Sequence, residues 1–561
     1  MAQLWWEEWP ERLEFELQEL RDNHIRFEID EEERAKGRMV LNITHFFRND
    51  DIQLIARYPV NYPFFRFDVR APGLKLARHQ HPYEKGLCLI GRASKNWNPS
   101  EDTVARFIID QLPKAVESAE GGDDTLEEPQ GEPISEYYPY QGCMVLVDSS
   151  WVIDPSIKEG ILLVGQDPSE NPARMAVLEV QDVKGVMLVE ADKNIKKLYP
   201  KNFTARWLRL DEPIMEGKAE DFYTALKEKH ASVQYFSWRR NERLDLHYDL
   251  IGLIFPEEVG HKKIADGWAF LLVTNHKNKN NWAKKNQWNK QYMFGRAGRS
   301  GIKDMQERTP KLAFLSDKKI ALAGLGSIGA PSAIEFGKSG IGELKVLDDD
   351  YVEPGTTVRW PLGHKYIGLH KTDAIGNVIS QNYPFTDVTS YQTRLGNPGD
   401  SKAELVEEFF KDADLIYDAT AELGVHHFLS SVAEQRGIPY VLASATAGAW
   451  GGMVARFSPG GPCWKCFQRA MTEGKIPIPP EDPDGSFQPT GCANPTFTGT
   501  HADLQEVALA GVRLAISSLS EESTTWNAAM VSFKEKDLLS LPKWSILNFK
   551  SYPDCPCGVK K

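Results

Sequence analysis

Residues 319–329 read KIALAGLGSIG, and this stretch decides the fold of the second half of the chain. An apolar strand leads directly into Gly324, Gly326 and Gly329, a G-x-G-x-x-G that opens a helix and whose backbone N–H groups can hold phosphate. The next strand ends at Asp348, where a carboxylate can hydrogen-bond a ribose. Further alternation of strands and helices predicts a doubly wound α/β domain that binds a nucleotide.

The glycines and Asp348 would suit ATP and NAD equally well. The residues after Asp348 distinguish between the two nucleotides. Arg359 follows Asp348 by eleven residues, and a G-L-H-K sequence ends at Lys371. This spacing resembles the adenylating family that contains the ubiquitin-activating enzymes and the ThiF-type activators of sulfur carriers. The resemblance implies that ATP and Mg²⁺ bind here, and that Arg359 and Lys371 clamp the triphosphate while a carboxylate attacks its α-phosphate. An NAD-dependent oxidoreductase, which needs neither cation, is the weakest alternative.

One position departs from the pattern of that family. The family often has an Asp, in a Thr-Asp-Asn element after a later strand, that contributes to magnesium and nucleotide binding. Residues 414–423 read DLIYDATAEL and place Ala421 at that position. Asp418 or Glu422 is left to take the role, and Asp418 is the predicted cofactor-binding residue.

Four of the seven cysteines form two closely spaced pairs, Cys463 with Cys466 in C-W-K-C and Cys555 with Cys557 in C-P-C. Four thiolates arranged in this way predict tetrahedral Zn²⁺. The resemblance to the structural zinc site of ThiF-type enzymes supports this prediction. Such a zinc ion would pin the carboxyl-terminal tail and take no part in catalysis. A set of buried or redox-active cysteines is the alternative.

Cys492 stands apart from these pairs, at the end of a Pro-rich loop. Thr500-His-Ala-Asp503 resembles a capping box at a helix start, and a thiol near a helix amino terminus has its thiolate favoured. In the activating-enzyme family a cysteine on such a loop attacks the acyl-adenylate and becomes a thioester. The resemblance implies that role for Cys492, and a buried structural cysteine is the alternative.

The sequence around Cys88 resembles the active-site region of ubiquitin-conjugating enzymes. The matching features, in chain order, are Tyr58-Pro59, Tyr62-Pro63, His81-Pro82, the Gly-Leu-Cys-Leu at residues 86–89, Trp97-x-Pro99 and a following helix. The resemblance implies that Cys88 is a second acyl acceptor, which an amine then attacks. Tyr83 replaces the Asn of the family's His-Pro-Asn, so Asn96, Asn98, His79 or backbone amides are left to stabilise the oxyanion. A catalytically inactive binding domain of this fold is the alternative.

The chain divides into four predicted segments. Residues 1–117 form an α+β, ubiquitin-conjugating-like (UBC-like) domain, and residues 118–136 form an acidic linker with too little apolar surface to fold. Residues 137–309 form a mixed α/β middle domain without a readable motif, either a linker domain or an inactive adenylation-like domain. Residues 310–561 form the Rossmann-like adenylation domain. The linker would let the two reactive cysteines meet.

Composition excludes some classes of function. The formal net charge of −13 argues against nucleic-acid binding by the whole protein. A basic stretch with interleaved Trp, at residues 277–299, is interpreted first as a solvated loop and only second as an anion or single-strand site. No apolar run approaches the roughly 20 residues that cross a bilayer, and the acidic amino terminus does not resemble a secretory signal. We therefore expect a cytoplasmic protein that does not bind membranes.

The order of the predicted segments resembles the fusion enzymes of the bacterial antiphage operons known as CBASS. The resemblance implies an ATP-dependent transferase–ligase of antiviral defence. Such an enzyme adenylates the carboxyl terminus of a cGAS-like nucleotidyltransferase, passes it through Cys492 and Cys88, and joins it to a target protein amine. The family also implies a homodimer. The alternatives are conjugation of a bacterial ubiquitin-like modifier, sulfur-carrier activation, and a catalytically weak nucleotide-binding scaffold.

Overall fold

The chain divides into two units, each with its own apolar cores. The first contains residues 1–192 and 199–301, and the second contains residues 193–198 and 302–561. The computed structural model describes residues 4–76, 78–88, 97–120, 131–166, 173–241, 246–260, 263–277, 288–396, 403–487, 496–520, 524–535 and 538–558.

The first unit begins with a four-stranded antiparallel meander flanked by helices. Its elements are α1 (Trp5–Glu8), α2 (Pro10–Asp22), β1 (Arg26–Ile29), α3 (Glu31–Ala35), β2 (Val40–Phe47), β3 (Asp50–Arg57), β4 (Asp68–Arg70) and α4 (Val104–Ala119). Alternation along β2 and β3 turns Leu41, Ile43 and Leu54 into one core with Leu20 of α2 and Ile108 of α4. This helix–meander–helix module contains Cys88.

A buried carboxylate joins the two long helices of this module. Glu16 of α2 is fully buried and accepts hydrogen bonds from the hydroxyls of Tyr58 (3.0 Å) and Tyr62. It also accepts the N–H of Val104 at the start of α4 (3.0 Å) and pairs with Arg12 at 3.1 Å. The carboxylate therefore fixes where α4 begins relative to α2.

Most of the remaining strands of the first unit belong to a closed barrel. The elements here are β5 (Cys143–Val147), β6 (Glu159–Gln166), β7 (Ala173–Asp182), β8 (Met187–Glu190), α5 (Lys193–Leu198, part of the second unit), β9 (Lys201–Arg209), α6 (Ala219–Lys229), β10 (Arg239–Asn241), β11 (Leu246–Gly260), β12 (Lys263–Lys277) and β13 (Trp288–Arg299). The strand order is β11-β12-β13-β5-β7-β6-β9, and β9 pairs in parallel with β11 to close the ring.

Strand β11 shows that both sides of the barrel wall are apolar. Leu250 and Ile254 lie in the interior cluster, whereas Ile251 and Leu253 lie in the outer cluster that Phe222 of α6 covers. A strand that is buried on both faces has no hydrophobic alternation, so it cannot be told from a buried helix by periodicity. The region predicted as mixed α/β is accordingly richer in strands than expected.

The second unit is an eight-stranded sheet between two layers of helices. Its elements are α7 (Ile302–Gln306), β14 (Lys319–Ala323), α8 (Gly329–Lys338), β15 (Glu343–Leu347), α9 (Lys371–Asn382), β16 (Asp387–Tyr391), α10 (Ala403–Phe410), β17 (Leu415–Asp418), α11 (Leu423–Arg436), β18 (Tyr440–Ala445), β19 (Gly451–Phe457), α12 (Trp464–Thr472), β20 (Ser486–Phe487), β21 (Thr496–Phe497), α13 (His501–Leu519), β22 (Ala528–Glu535) and β23 (Leu538–Leu547). One apolar cluster packs α8, α9 and α13 on one face, and another packs α10, α11 and α12 on the other.

The strand order of this sheet positions a ligand crevice. The order is β16-β15-β14-β17-β18-β19-β22-β23, and the first five strands are parallel. The chain order reverses between β14 and β17, and such a switch point opens a crevice at the carboxyl ends of the strands. The predicted Rossmann-like, doubly wound fold of this part of the chain is confirmed.

Candidate functional site

The glycine-rich loop after β14 requires its first and third glycines. Gly324 has φ +86°, and a Cβ there would lie 2.9 Å from the backbone of Ala419 and Thr420. A Cβ on Gly329 would lie 1.8 Å from the carbonyl oxygen of Gly324. Gly326, in contrast, has no heavy atom within 4 Å of an added Cβ, so it faces open space. The loop thus packs against the neighbouring strand end and leaves its middle free for a ligand.

Asp348 holds this loop onto the end of β15. One carboxylate oxygen accepts the N–H of Leu325 at 2.6 Å, and the other accepts the N–H of Asp350 at 2.9 Å. Burial raises the pKa of Asp348, while Lys371 and these N–H groups oppose the rise. The residue lies where the sequence predicted, and its carboxylate also orders the predicted phosphate loop.

Lys371 reaches the same strand end from the first position of α9. Its Nζ lies 2.6 Å from Oδ2 of Asp350 and 4.0 Å from Oδ1 of Asp348. Asp350 was not expected from the sequence as a site residue, although the run Asp348–Asp350 was the available signal. Carboxylate oxygens of this run lie within 4.8 Å of one another, which suits a hard cation such as Mg²⁺.

Arg359 is held by the segment before α13. Its guanidinium donates to Oγ1 of Thr496 at 2.6 Å and to the carbonyl of Phe497, and it lies 4.9 Å from the Phe497 ring centroid. Burial lowers the pKa of Arg359. The next residue, Trp360, donates from Nε1 to the carbonyl of Leu325 at 2.8 Å. Arg359 therefore adjoins the glycine-rich loop, but its partners here are β21 atoms rather than the acidic strand end.

Asp418 is enclosed at the end of β17. It has no exposed surface, and its carboxylate accepts hydrogen bonds from Thr420 (N–H 2.9 Å, hydroxyl 2.8 Å) and Tyr440 (2.7 Å). Nδ1 of His426 lies 2.8 Å from its second oxygen. These partners order the turn after β17. If Asp418 binds the cofactor, as predicted, it must give up some of these hydrogen bonds. Glu422, the other candidate, pairs with Arg394.

The four paired cysteines come together as predicted from their spacing. The Sγ–Sγ distances are 4.0 Å for Cys463–Cys466, 3.6 Å for Cys463–Cys555, 3.3 Å for Cys466–Cys557 and 3.3 Å for Cys555–Cys557. Tetrahedral zinc with Zn–S bonds of about 2.3 Å separates its sulfurs by about 3.8 Å. The cluster therefore fits a zinc ion and would tie the start of α12 to the carboxyl-terminal tail.

Cys492 lies outside the described residues, and so does Asn96. The helix predicted after Cys492 is present as α13. The hydroxyl of Thr500 accepts the N–H of Asp503 at 3.2 Å and donates to its carboxylate at 2.7 Å. Thr500 is thus the N-cap of α13, and the carboxylate of Asp503 contacts the Thr500 hydroxyl.

Cys88 is an exposed residue at the end of a tight hairpin. Its N–H donates to the carbonyl of His79 at 2.8 Å, and the His79 ring is buried between Ser118 (3.1 Å) and Glu132 (3.3 Å). Asn98 accepts the N–H of Ser100 through Oδ1, so its amide stabilises the turn before α4. Of the predicted oxyanion groups that the structure describes, His79 and Asn98 thus have structural partners.

The basic stretch at residues 277–299 contributes to the barrel wherever it is described. Lys290 lies 4.6 Å from the Phe236 ring centroid, Arg296 pairs with Glu136, and Arg299 lies 3.8 Å from Glu257. Within the described parts of the chain, no helix is both long and apolar enough to cross a bilayer.

Comparison with known proteins places this site in a family. Residues 289–520 match the model of the ThiF family. The uncharacterized proteins y4oA and y4qC of Sinorhizobium fredii are both 30% identical to the chain; the first match covers 91% of the chain and 90% of y4oA, and the second covers 94% and 93%. Adenylyltransferase and sulfurtransferase UBA4 of Kluyveromyces lactis is 29% identical over 40% of the chain and 46% of its own length.

Among solved structures, E. coli MccB with ATP matches 44% of the chain and 68% of its own at 16% identity and a TM-score of 0.34, which supports no functional inference. The matches to y4oA and y4qC run through both units. The chain therefore belongs to the family of y4oA and y4qC, and its second unit carries a ThiF-family adenylation domain.

Proposed function

We propose that the protein uses ATP to adenylate the carboxyl terminus of a protein substrate. The observation that carries this proposal is the edge formed by the glycine-rich loop, Asp348 and Lys371, which lies inside the stretch that matches the ThiF family. A glycine-rich loop that opens a helix, a buried carboxylate and a cation are the parts that an α-phosphate substitution needs.

Each group at the nucleotide edge has a role in the proposed adenylation step. A substrate carboxylate oxygen attacks the α-phosphorus, the bond to the pyrophosphate oxygen breaks, and pyrophosphate leaves. Lys371 exchanges Asp350 for the departing phosphates and stabilises their charge, as Arg359 does once it leaves Thr496. The carboxylates of residues 348–350 would hold Mg²⁺ through their oxygens, with Asp418 as the predicted alternative, and the ion would offset the charge of the phosphates.

Two thioester steps follow in the proposed sequence. The Cys492 thiolate attacks the acyl-adenylate carbonyl and AMP leaves; the Cys88 thiolate then displaces Cys492, and an amine of a target protein displaces Cys88. The exposure of Cys88 and its position in a helix–meander–helix module, the order expected of a UBC-like domain, support the second transfer. The confirmed helix cap after Cys492 supports the first, because a helix amino terminus favours a thiolate.

We further propose a place for this reaction in the cell. The substrate is a cGAS-like nucleotidyltransferase of a CBASS operon, and the enzyme acts as a cytoplasmic homodimer in antiviral defence. A bacterial ubiquitin-like modifier is the alternative substrate for the same relay. Both candidate substrates would present a carboxyl terminus to the nucleotide edge. Identification of the partner protein therefore decides between them.

The test is co-expression of the protein with its genomic neighbours as wild type, Cys88→Ser, Cys492→Ala and the double variant. Intact-mass measurement and non-reducing gels then report covalent adducts. A stable oxyester on the Cys88→Ser protein, absent from the double variant, would support the relay, and the mass of the adduct would identify the substrate. Pyrophosphate exchange into ATP that persists in both single variants would separate adenylation from the relay.

A nucleotide-binding scaffold is a second candidate, and one observation favours it. Asp418 is enclosed by protein donors, and Ala421 offers no carboxylate in its place. A scaffold would bind ATP but exchange no pyrophosphate with any neighbour present. Exchange that depends on a neighbour would exclude it.

A further inference from the structure

The hairpin that carries Cys88 is covered by the segment that leads into the barrel. The ring of Tyr137 lies 4.9 Å from the ring of His81. The backbone N–H of His81 donates to the carbonyl of Gly86 at 2.7 Å, which closes the hairpin. The Tyr137 hydroxyl lies 3.5 Å from Oε2 of Glu132, and this carboxylate accepts the N–H of His79 at 2.9 Å. Tyr137 and Glu132 thus meet the first strand of the hairpin, at His81 and His79, although they are distant from Cys88 in sequence.

The barrel holds this covering segment through two carboxylates, of which Glu257 is buried. Glu257 of β11 accepts both the N–H (2.8 Å) and the hydroxyl (2.9 Å) of Ser135, and Glu258 accepts the N–H of Glu132 at 3.0 Å. A Cβ on Gly131 would lie 2.5 Å from the backbone of β11, so the segment packs directly on that strand. The position of Tyr137 is therefore set by the barrel as well as by the module that contains Cys88.

Tyr83, which stands in place of the family's Asn, packs against the same part of the barrel. Its ring lies 5.9 Å from the ring of Tyr138, and a Cβ on Gly217 would come within 3.2 Å of it. Tyr138 in turn stacks on Phe294 of β13 at 5.0 Å. The residue that departs from the family motif is thus a packing contact between the Cys88 module and the barrel, and the oxyanion donor has to come from elsewhere.

The electrostatics of Tyr137 favour a hydrogen-bond donor. Burial raises the pKa of its hydroxyl, and the negative charges of Glu132 and Cys88 raise it further. The two residues are linked through His79: Glu132, the partner of the Tyr137 hydroxyl, accepts the N–H of His79, and the carbonyl of His79 accepts the N–H of Cys88 at 2.8 Å. A phenol with a raised pKa keeps its proton at neutral pH, so it can donate to a developing negative charge but cannot act as a base.

We propose that Tyr137 is the oxyanion donor for acyl transfer at Cys88 and that Glu132 positions it. This inference rests on the proposed function, because it assumes that Cys88 carries an acyl group. In the step, the amine nitrogen bonds to the thioester carbon and the carbonyl oxygen becomes an oxyanion; the Tyr137 hydroxyl turns its one hydrogen from Glu132 to that oxyanion. The carbon–sulfur bond then breaks, the Cys88 thiolate leaves, and the amine proton passes to water.

The test isolates this step from ATP and from any protein partner. The full-length protein is acylated with the thiophenyl ester of N-acetylglycine, methylamine is added, and loss of the acyl group from the Cys88 peptide is followed by mass spectrometry. Tyr137→Phe is compared with Tyr140→Phe, a control in the same segment whose ring is half exposed. Alkylation of Cys88 by iodoacetamide, a reaction without an oxyanion, serves as the second readout.

We expect Tyr137→Phe to slow aminolysis by at least about tenfold, since one oxyanion donor contributes roughly 10²–10³ in an enzyme. Its alkylation rate and the aminolysis rate of Tyr140→Phe should stay at wild-type values. The proposal is overturned if Tyr137→Phe transfers at the wild-type rate, if alkylation falls in parallel, or if wild-type Cys88 aminolyses no faster than the same thioester of N-acetylcysteine. A failed ATP-dependent relay with an intact effect of Tyr137→Phe would reject the proposed function alone.

Discussion

The nucleotide edge of the second unit and the Cys88 hairpin of the first are held in place by different means. At the nucleotide edge, backbone hydrogen bonds link neighbouring strand ends: Gly324 N–H to Leu347 (2.8 Å) and Lys371 N–H to Asp350 (2.9 Å). At the hairpin, the covering residue Tyr137 comes from a separate segment, and buried Glu257 holds that segment to the barrel.

This difference determines what a substitution does. A side chain at the end of a parallel sheet can be removed while the backbone around it stays, so chemistry should be lost and the fold retained. A group that other side chains hold in place changes position when those side chains change. The two units should therefore respond differently to comparable substitutions.

The largest expected effect concerns the cysteine cluster, the strongest predicted anchor of the second unit. We expect one zinc per chain in the purified protein, and none after Cys466→Ser, because Cys466 is the most buried of the four thiols. Structural zinc contributes on the order of 10 kcal/mol in small zinc domains, so the carboxyl-terminal tail should become sensitive to protease when zinc is lost. Elemental analysis and limited proteolysis measure both effects.

Cys143→Ser is the matched control, since Cys143 is a buried thiol of the barrel with no role in the cluster. It should keep its zinc and a protected tail. A metal-free wild-type protein with a fully protected tail would show that packing alone holds the tail to α12.

The next effect concerns the first unit, where Glu16→Ala should destabilise the Cys88 module by about 3–5 kcal/mol. The substitution leaves Arg12, Val104 and two tyrosine hydroxyls without their common acceptor. Hydrogen exchange of α2 and α4 in the full chain measures the loss. Glu19→Ala on the same helix removes only the pair with half-exposed Arg106, so a cost below about 1 kcal/mol is expected; equal costs would contradict this account.

The same carboxylate should make the module sensitive to pH. Burial is the largest cause that raises the pKa of Glu16 above its ordinary value of 4.5. The folded module therefore binds this proton more tightly than the unfolded chain, and stability should fall as pH rises from about 4.5 to the raised pKa. Glu16→Gln should flatten the dependence of the unfolding free energy on pH. If this dependence is unchanged in Glu16→Gln, another titratable group causes it.

Lys371→Ala tests the nucleotide edge with a smaller change in free energy. Pyrophosphate exchange should fall about 100-fold, since Lys371 meets the charge that develops on pyrophosphate. The fold should change by only about 1 kcal/mol, because the main partner, Asp350, is largely exposed. Lys365→Ala, an exposed cation in the preceding loop, is the control. If Lys371→Ala lost hydrogen-exchange protection in α9 together with pyrophosphate exchange, the two units would not differ in how they respond to a substitution.

The nucleotide edge was largely predictable from sequence because its parts are local. Glycine spacing, the strand end at Asp348 and the start of α9 at Lys371 each follow from short-range rules that a parallel sheet brings together. The cysteine cluster followed from ligand chemistry, and the cap of α13 followed from a four-residue pattern. Asp350 was missed because a run of three carboxylates does not indicate which one meets the lysine.

The barrel and the covering segment were not predictable in the same way. Strand β11 is apolar on both faces, and closure of the ring depends on its parallel pairing with β9, a long-range contact without a sequence signature. Glu132 lies in the predicted flexible linker, and Tyr137 directly follows it, yet Glu257 and Glu258 give backbone N–H groups of this segment partners. Composition alone does not report such distant acceptors.

The smallest expected effect tests how the covering segment is held. Ser135→Ala removes one of two hydrogen bonds to Glu257 and keeps the N–H, so it should cost about 1 kcal/mol. Amides of residues 131–138 should then exchange about fivefold faster, since 1.4 kcal/mol corresponds to tenfold. Aminolysis at Cys88 should change less than about twofold, because the segment stays docked in most molecules. Ser517→Ala, on α13 of the second unit, should leave these amides unchanged. Unaltered exchange in Ser135→Ala would mean that the hydroxyl contributes nothing to holding Tyr137, and that the backbone contacts with β11 suffice.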